Sequence, residues 1–359
     1  MLADAIPFHQ LTRVLVIKLR HHGDVLLTSP VFSALKQAAP ACEIDALVYA
    51  DTAPMLEGHP DIARIHQIDR GWKRLGPLAQ LRAEAGLLSA LRSRRYDLVV
   101  HLTGHPRGAW LARLTGARWA VAPRRPGKFW RRSFSHLYPG QNPRRHTVET
   151  HLDALRRLGL QPGEDRRLRM VPGTEAEARV DALLARENLD VGSFVQLHPA
   201  SRWLFKCWSV DKTAALLQAL TGRGLPVVLT AAPDPAEKAL IAELLAAAGP
   251  TAAPVVDLSG QLTLRELAAL TARARLFVGV DSAPMHIAAA VGTPVVALFG
   301  PSGDVEWGPW QVPHRLIVSR EHPCRPCGQD GCGGGKISEC LTRLPLTPVL
   351  AACEELLGP

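Results

Sequence analysis

Three polar residues stand where apolar runs end, and their types suit group transfer to or from an anionic substrate. Asp24 follows the run Val14 to Leu19 through the turn Arg20-His21-His22-Gly23. Lys206 closes Ser201-Arg202-Trp203-Leu204-Phe205, after the run Phe194 to Leu197. Asp281 follows Leu276 to Val280 and opens the turn Asp281-Ser282-Ala283-Pro284-Met285-His286. A carboxylate in such a place can take a proton from a hydroxyl, and a lysine or an open helix start can hold a phosphate. Each also has a plainer reading. Asp24 could cap a helix, where a carboxylate is favourable anyway; Lys206 could be a solvated surface lysine; and 281–286 could begin an ordinary helix capped by Asp281 or Ser282. The turn Phe299-Gly300-Pro301-Ser302, closing the run from Pro294, favours a nucleotide or sugar-phosphate site over the plain helix.

The elements that must carry these residues are legible as an alternation. Short apolar runs at 14–19, 44–48, 65–68 and 97–102 read as buried parallel strands. Helical patterns at 26–38 and 78–91 separate them. After a helix at 151–158, the stretch Gln161 to Pro172 is polar and Pro/Gly-bearing and reads as a boundary. A second alternation follows: helices near 175–187, 209, 235–247 and 264–273, with strands at 194–197, 227–230, 255–258, 276–280 and 294–299. The fold class is therefore α/β, with two doubly wound Rossmann-like halves, 1–170 and 171–345, and a cleft expected between them. Ligands of such sheets bind beyond the carboxyl ends of the strands, where all three residues are placed. No G-x-G-x-x-G follows the first strand, which removes most of the support for a dehydrogenase.

The 359 residues carry 42 Lys and Arg against 33 Asp and Glu, a net charge of +9, so an anionic partner is expected. No run approaches the roughly 18 apolar residues of a membrane span, and the N-terminus lacks a signal-peptide pattern, so the expected compartment is the cytoplasm. From Gly104 to His146 there are ten basic residues and no acid, interleaved with Trp110, Trp119, Phe129 and Trp130. A solvated basic face, single-stranded nucleic acid and an anionic sugar all fit that composition, and the lack of acids favours an anionic ligand or surface. Four of the seven cysteines, Cys324, Cys327, Cys332 and Cys340, fall in one Gly-rich stretch. They suit a structural zinc site or free or redox-paired thiols, but only the first pair has C-x-x-C spacing.

Three segments, RVLVIKLRHHGDVLLTSPVFSALK, HPASRWLFKCW and FVGVDSAPMHIAAAVGTPVVALFGP, together resemble the lipopolysaccharide heptosyltransferases, in order and over nearly the whole chain. The form LRHHGDVLLTSP is more similar to the type III members than to types I and II. The resemblance implies a GT-B fold, with an acceptor-binding first domain and a donor-binding second. It also implies a C-terminal helix, 346–359, returning to the first domain, and inverting transfer of heptose from ADP-heptose to the lipopolysaccharide inner core. It places the general base at Asp24. Donor binding falls at Ser201, Lys206, Asp281, Ser282, Ala283, Pro284, Met285 and His286, with Asp234 a guess for the ribose. Acceptor contacts are expected at His22, Gly23, Arg124, Arg125, Arg131 and Arg132. No cofactor and no catalytic metal are expected; the partners are ADP-heptose, the inner core and, peripherally, the inner face of the inner membrane. The turn departs from the family form with Thr and Gly after the Asp, having Ser282 and Ala283. A nucleic-acid-binding protein is the remote alternative, and it leaves Asp24, Lys206 and Asp281 unexplained; another acceptor within the same family is the near one.

Overall fold

A computed structural model describes residues 4–358. The chain divides into two compact units at Met170/Val171. The first holds six strands, β1 (Arg13–Ile17), β2 (Glu43–Tyr49), β3 (Arg64–Ile68), β4 (Leu98–His101), β5 (Trp119–Pro123) and β6 (His136–Tyr138), in the order β3-β2-β1-β4-β5-β6. All neighbours are parallel. The second unit holds β7 (Val195–His198), β8 (Val227–Leu229), β9 (Val255–Asp257), β10 (Leu276–Val280), β11 (Val295–Phe299) and β12 (His314–Val318), in the order β12-β11-β10-β7-β8-β9. Read from its own first strand, this is the same winding. Each sheet turns back on itself once, between β1 and β4 and between β7 and β10, and those reversals open a crevice at the carboxyl edge.

The central strands are apolar because helices cover both faces. Leu15, Ile17 and Val99 are fully buried in the first sheet, as are Val195, Leu276 and Val278 or nearly so in the second. Close approach at β4 depends on one glycine: a Cβ on Gly108 would lie 2.1 Å from the His101 imidazole, so the helix Pro106–Thr115 can rest on the strand only there.

One expectation needs correction, and the structure adds detail in three places. The single helix expected over 26–38 is two, His22–Leu26 and Ser29–Ala38, because Pro30 has no N–H to continue the first. The basic stretch 104–146 folds into the helices Pro106–Thr115 and Lys128–Ser133 and the strands β5 and β6. The half-buried edge strand β12 was not expected at all. The C-terminal helix Leu346–Leu357 packs against the helix Val210–Thr221 and β10 to β12 of the second unit. Val349, Ala352 and Cys353 place it in the second unit's core.

Candidate active site

At the first reversal, β1 ends one residue before Lys18, and β4 is followed by Leu102 and Thr103. Lys18 is buried, and its Nζ donates to the Leu102 carbonyl at 3.3 Å. It lies 2.9 Å from Nε2 of the buried His151. Burial, and then the lysine charge, hold His151 well below the ordinary histidine range, so the imidazole is neutral. Its Nδ1–H donates to the Leu27 carbonyl at 3.1 Å, which leaves Nε2 to accept from Lys18. Burial also lowers the Lys18 amine, against the pull of Asp24.

Asp24 lies in the first turn of His22–Leu26, with Oδ1 at 3.5 Å from Lys18 Nζ and 3.9 Å from Arg20 Nε. No side chain caps this helix. Asp24 is thus a carboxylate beside Lys18 and Arg20 at the carboxyl edge, with 14% of its side chain exposed, in a first helical turn where a carboxylate is also favourable to the helix. Proton acceptance there suits the geometry: the group is reachable, faces two basic side chains and is fixed on a rigid element.

The neighbouring basic residues are not equally placed. His22 Nε2 is tied to the Asp51 carbonyl at 2.8 Å, and Arg70 holds Asp51 at 3.0 Å, the Arg20 carbonyl at 2.9 Å and the Tyr49 ring at 3.7 Å. Gly23 opens the helix beside Asp24. Arg125 lies over Gly104, where a Cβ would meet its Cδ at 3.0 Å. Burial, and then the charges of Lys73, Arg125 and Arg20, lowers the pKa of His105. Arg124 is fixed by its backbone, donating to the Tyr138 carbonyl at 2.7 Å. Arg131 and Arg132 are exposed on the next helix, Lys128–Ser133.

At the second reversal, Lys206 follows β7 and Asp281 follows β10, and they meet: Nζ lies 2.6 Å from Asp281 Oδ2, with the Lys206 amine 5.1 Å from the Trp203 ring. Residues 75 apart in sequence are therefore one ion pair at the crevice. Ser201 is buried and accepts the Trp203 N–H at 3.4 Å. The helix Ala283–Val291 begins there. Neither expected cap forms, because Asp281 is turned to Lys206 and the Ser282 hydroxyl donates to the Val280 carbonyl at 3.2 Å. Pro284 carries no N–H, and the Met285 N–H reaches the Ser282 carbonyl at 3.2 Å. Met285 and His286 point into the core, so anything they offer a ligand comes from the main chain. Asp234 is a helix cap, its Oδ1 accepting from Ala236 and Glu237.

The Gly-rich cysteine loop lies beside this crevice. Arg325 Nε donates to the Gly300 carbonyl at 2.6 Å, Gly328 N–H to the Pro301 carbonyl at 2.9 Å, and Lys336 Nζ lies 5.7 Å from the Phe205 ring. The zinc expectation finds no ligand set. Among the described residues no group of three or more His, Cys, Asp or Glu comes together to hold a metal. Cys324, Cys327 and Cys332 are exposed free thiols, Cys340 is buried, and Cys332 Sγ accepts the Glu339 N–H at 3.4 Å.

Lys18 and His151 were not expected at the site. Lys18 sits inside an apolar run and reads as the end of a strand, and His151 is 133 residues away. The one available signal was a lysine at the carboxyl end of a fully buried strand.

A profile of glycosyltransferase family 9 (heptosyltransferase) matches residues 85–337. The chain is 38% identical over 345 residues to lipopolysaccharide heptosyltransferase 3 of Escherichia coli K12, covering 94% of this chain and 96% of that one. A glycosyl transferase family 9 structure from Veillonella parvula superposes with a TM-score of 0.83 at 21% identity, covering 99% of each chain. An Escherichia coli heptosyltransferase solved with ADP gives 0.75 at 20%, covering 96% of this chain and all of that one. The fold of those structures, GT-B, is the fold of this chain.

Proposed function

The chain belongs to glycosyltransferase family 9, the heptosyltransferases, and from that premise we propose that it transfers L-glycero-D-manno-heptose from ADP-heptose to a heptose of the lipopolysaccharide inner core, with inversion, as a heptosyltransferase III. The similarity to heptosyltransferase 3 over 94% of the chain carries this reading. The arrangement at each sheet reversal supports it.

In this reading Asp24 accepts the proton of the acceptor hydroxyl as that oxygen attacks the anomeric carbon, and the bond to ADP breaks on the opposite face of the sugar. His22 and Gly23, beside the base, and Arg125 with Arg124, Arg131 and Arg132 take the acceptor's phosphates and acidic groups. As ADP leaves, charge gathers on its diphosphate. Lys206 and the start of Ala283–Val291, through Ser282, Ala283 and the main chain of Met285 and His286, stabilise it. Asp281 holds the Lys206 ammonium in place and contacts the donor sugar, and Ser201 borders the same crevice. These cations supply the stabilisation, so no cofactor or catalytic metal is called on. The enzyme acts at the cytoplasmic face of the inner membrane by peripheral contact.

The test is ADP release from ADP-heptose with a heptose-bearing, truncated inner-core acceptor, for the wild type and Asp24→Ala. The expected result is wild-type turnover and a fall in kcat of about 10²- to 10⁴-fold in the variant, with donor affinity kept. Donor binding without turnover on any core acceptor would overturn the acceptor assignment. Full activity of Asp24→Ala would overturn the base.

A further inference from the structure

The first unit carries an apolar surface that its own core does not use. Every large hydrophobic residue exposed among its described residues lies between 75 and 129: Leu75, Leu78 and Leu81 at 43%, 75% and 65%, and Trp110, Leu114 and Phe129 at 56%, 41% and 40%. They sit on three helices that pack in sequence, Pro77–Ser93 on Pro106–Thr115 and Pro106–Thr115 on Lys128–Ser133. Leu75 lies just ahead of the first. Trp110 and Phe129 join the last two directly, with ring centroids 4.5 Å apart. Only Leu87 and Leu91 of the first helix are buried, so its N-terminal half turns leucines outward that a core-facing helix would hide.

The same segment is strongly basic. Residues 70–133 hold 15 Lys and Arg and two acids. Both acids are engaged within the fold, Glu84 with Arg107 and Asp97 with the backbone N–H groups of Thr12 and Arg13. Arg113 lies 5.7 Å from the Phe129 ring. Apolar side chains set among Arg and Lys on helices are suited to the boundary between anionic headgroups and acyl chains. A polynucleotide would use the aromatic rings and the charge and leave the four leucines with nothing to bury against.

We propose that the surface formed by Leu75, Leu78, Leu81, Trp110, Leu114 and Phe129 docks on an anionic phospholipid leaflet, the leucines and rings entering the headgroup boundary and the surrounding cations pairing with lipid phosphates. It rests on the peripheral membrane contact proposed above and assigns that contact to a face. Leu78 and Trp110 are exposed and outside the crevice groups, so replacing them leaves the transfer chemistry in place.

The test is flotation of the full-length protein with vesicles of phosphatidylglycerol in phosphatidylcholine, for the wild type and Leu78→Ser/Trp110→Ser, with thermal melting to verify folding. Transfer to a delipidated, water-soluble core acceptor is measured alongside. The wild type floats at low salt, binds pure phosphatidylcholine at least about tenfold more weakly, and the variant binds the anionic vesicles about tenfold more weakly while its turnover on the soluble acceptor is unchanged. Should the variant misfold, Arg113→Ala/Arg118→Ala takes its place with the same loss expected. A wild type that stays unbound, a folded variant that floats as well as the wild type, or binding to single-stranded polynucleotide in place of vesicles overturns the assignment. Flotation without turnover on any acceptor would refute the heptosyltransferase III reading and leave this surface standing.

Discussion

Of the residues at the two crevices, Asp24, Lys206 and Asp281 were legible because each stands in the turn that follows a buried apolar run, at the carboxyl edge of a parallel sheet. The pairing of Lys206 with Asp281 was not legible, since only the neighbouring positions of β7 and β10 bring them within 2.6 Å. Lys18 was hidden for the opposite reason: it looks like part of its strand. Its ammonium is held on one side by the neutral His151 and on the other faces Asp24, so it fixes where that carboxylate stands. Lys18→Met keeps the length of the side chain and removes that hold. We expect kcat to fall by up to about 10²-fold, as for a misplacement of the order of an ångström, with the KM for ADP-heptose little changed and Lys18→Arg intermediate. Steady-state kinetics of the folded variants decide it, and an unaltered kcat would remove Lys18 from any positioning role.

At the scale of elements, the strands with long apolar runs were read to within a residue or two, and Leu264–Arg273 and β10 agree in both bounds. Leu264–Arg273 is announced locally, by Thr263 and Glu266 closing a capping box. The elements that were missed are short and sit among arginines. β5 is five residues between Arg118 and Arg124, β6 only three, and β12 is a half-buried edge strand. Their pairing, and not their own composition, makes them strands. One consequence can be tested at Gly108, where Pro106–Thr115 crosses His101. Gly108→Ala drives a methyl into the imidazole, which stacks against Phe134 at 5.9 Å and has no room to retreat. The expected cost is about 1–3 kcal/mol. Chemical denaturation checks this, and a variant as stable as the wild type would show that the helix can shift. Gly116→Ala, at the left-handed cap of the same helix, meets no atom and is destabilised only by its backbone.

For the whole molecule, the two-unit α/β plan was legible, because it depends on periodicity alone. Which strands of its unit the last helix covers was not, because an amphipathic sequence does not name them. Acid sensitivity is likewise a property of both units. Burial depresses His59 and His198 to about 4 and His101 to about 3. Unfolded, each would take a proton near its ordinary pKa of about 6.5. The unfolded chain therefore binds more protons in this window, and stability present above pH about 6.5 is lost as pH falls toward the folded values. At pH 5 the loss is about 2 kcal/mol for each group, spread over two units. Melting temperatures measured from pH 7 to pH 5 are expected to fall steadily; a flat profile would mean that these imidazoles are solvated in the native protein.

The loop hydrogen-bonded to Gly300 and Pro301 has a practical consequence for following the enzyme at work. Its thiols at Cys324, Cys327 and Cys332 are exposed, whereas burial pushes Cys42 up to about 11 and Cys207 and Cys353 up to about 12. Maleimide dyes will discriminate between the two groups at neutral pH. With Cys327 and Cys332 replaced by serine, the thiol left at Cys324 is a ready attachment point for a fluorophore beside the Lys206–Asp281 crevice, and a change in its emission on adding ADP-heptose would report arrival at the proposed donor site without radioactive sugar.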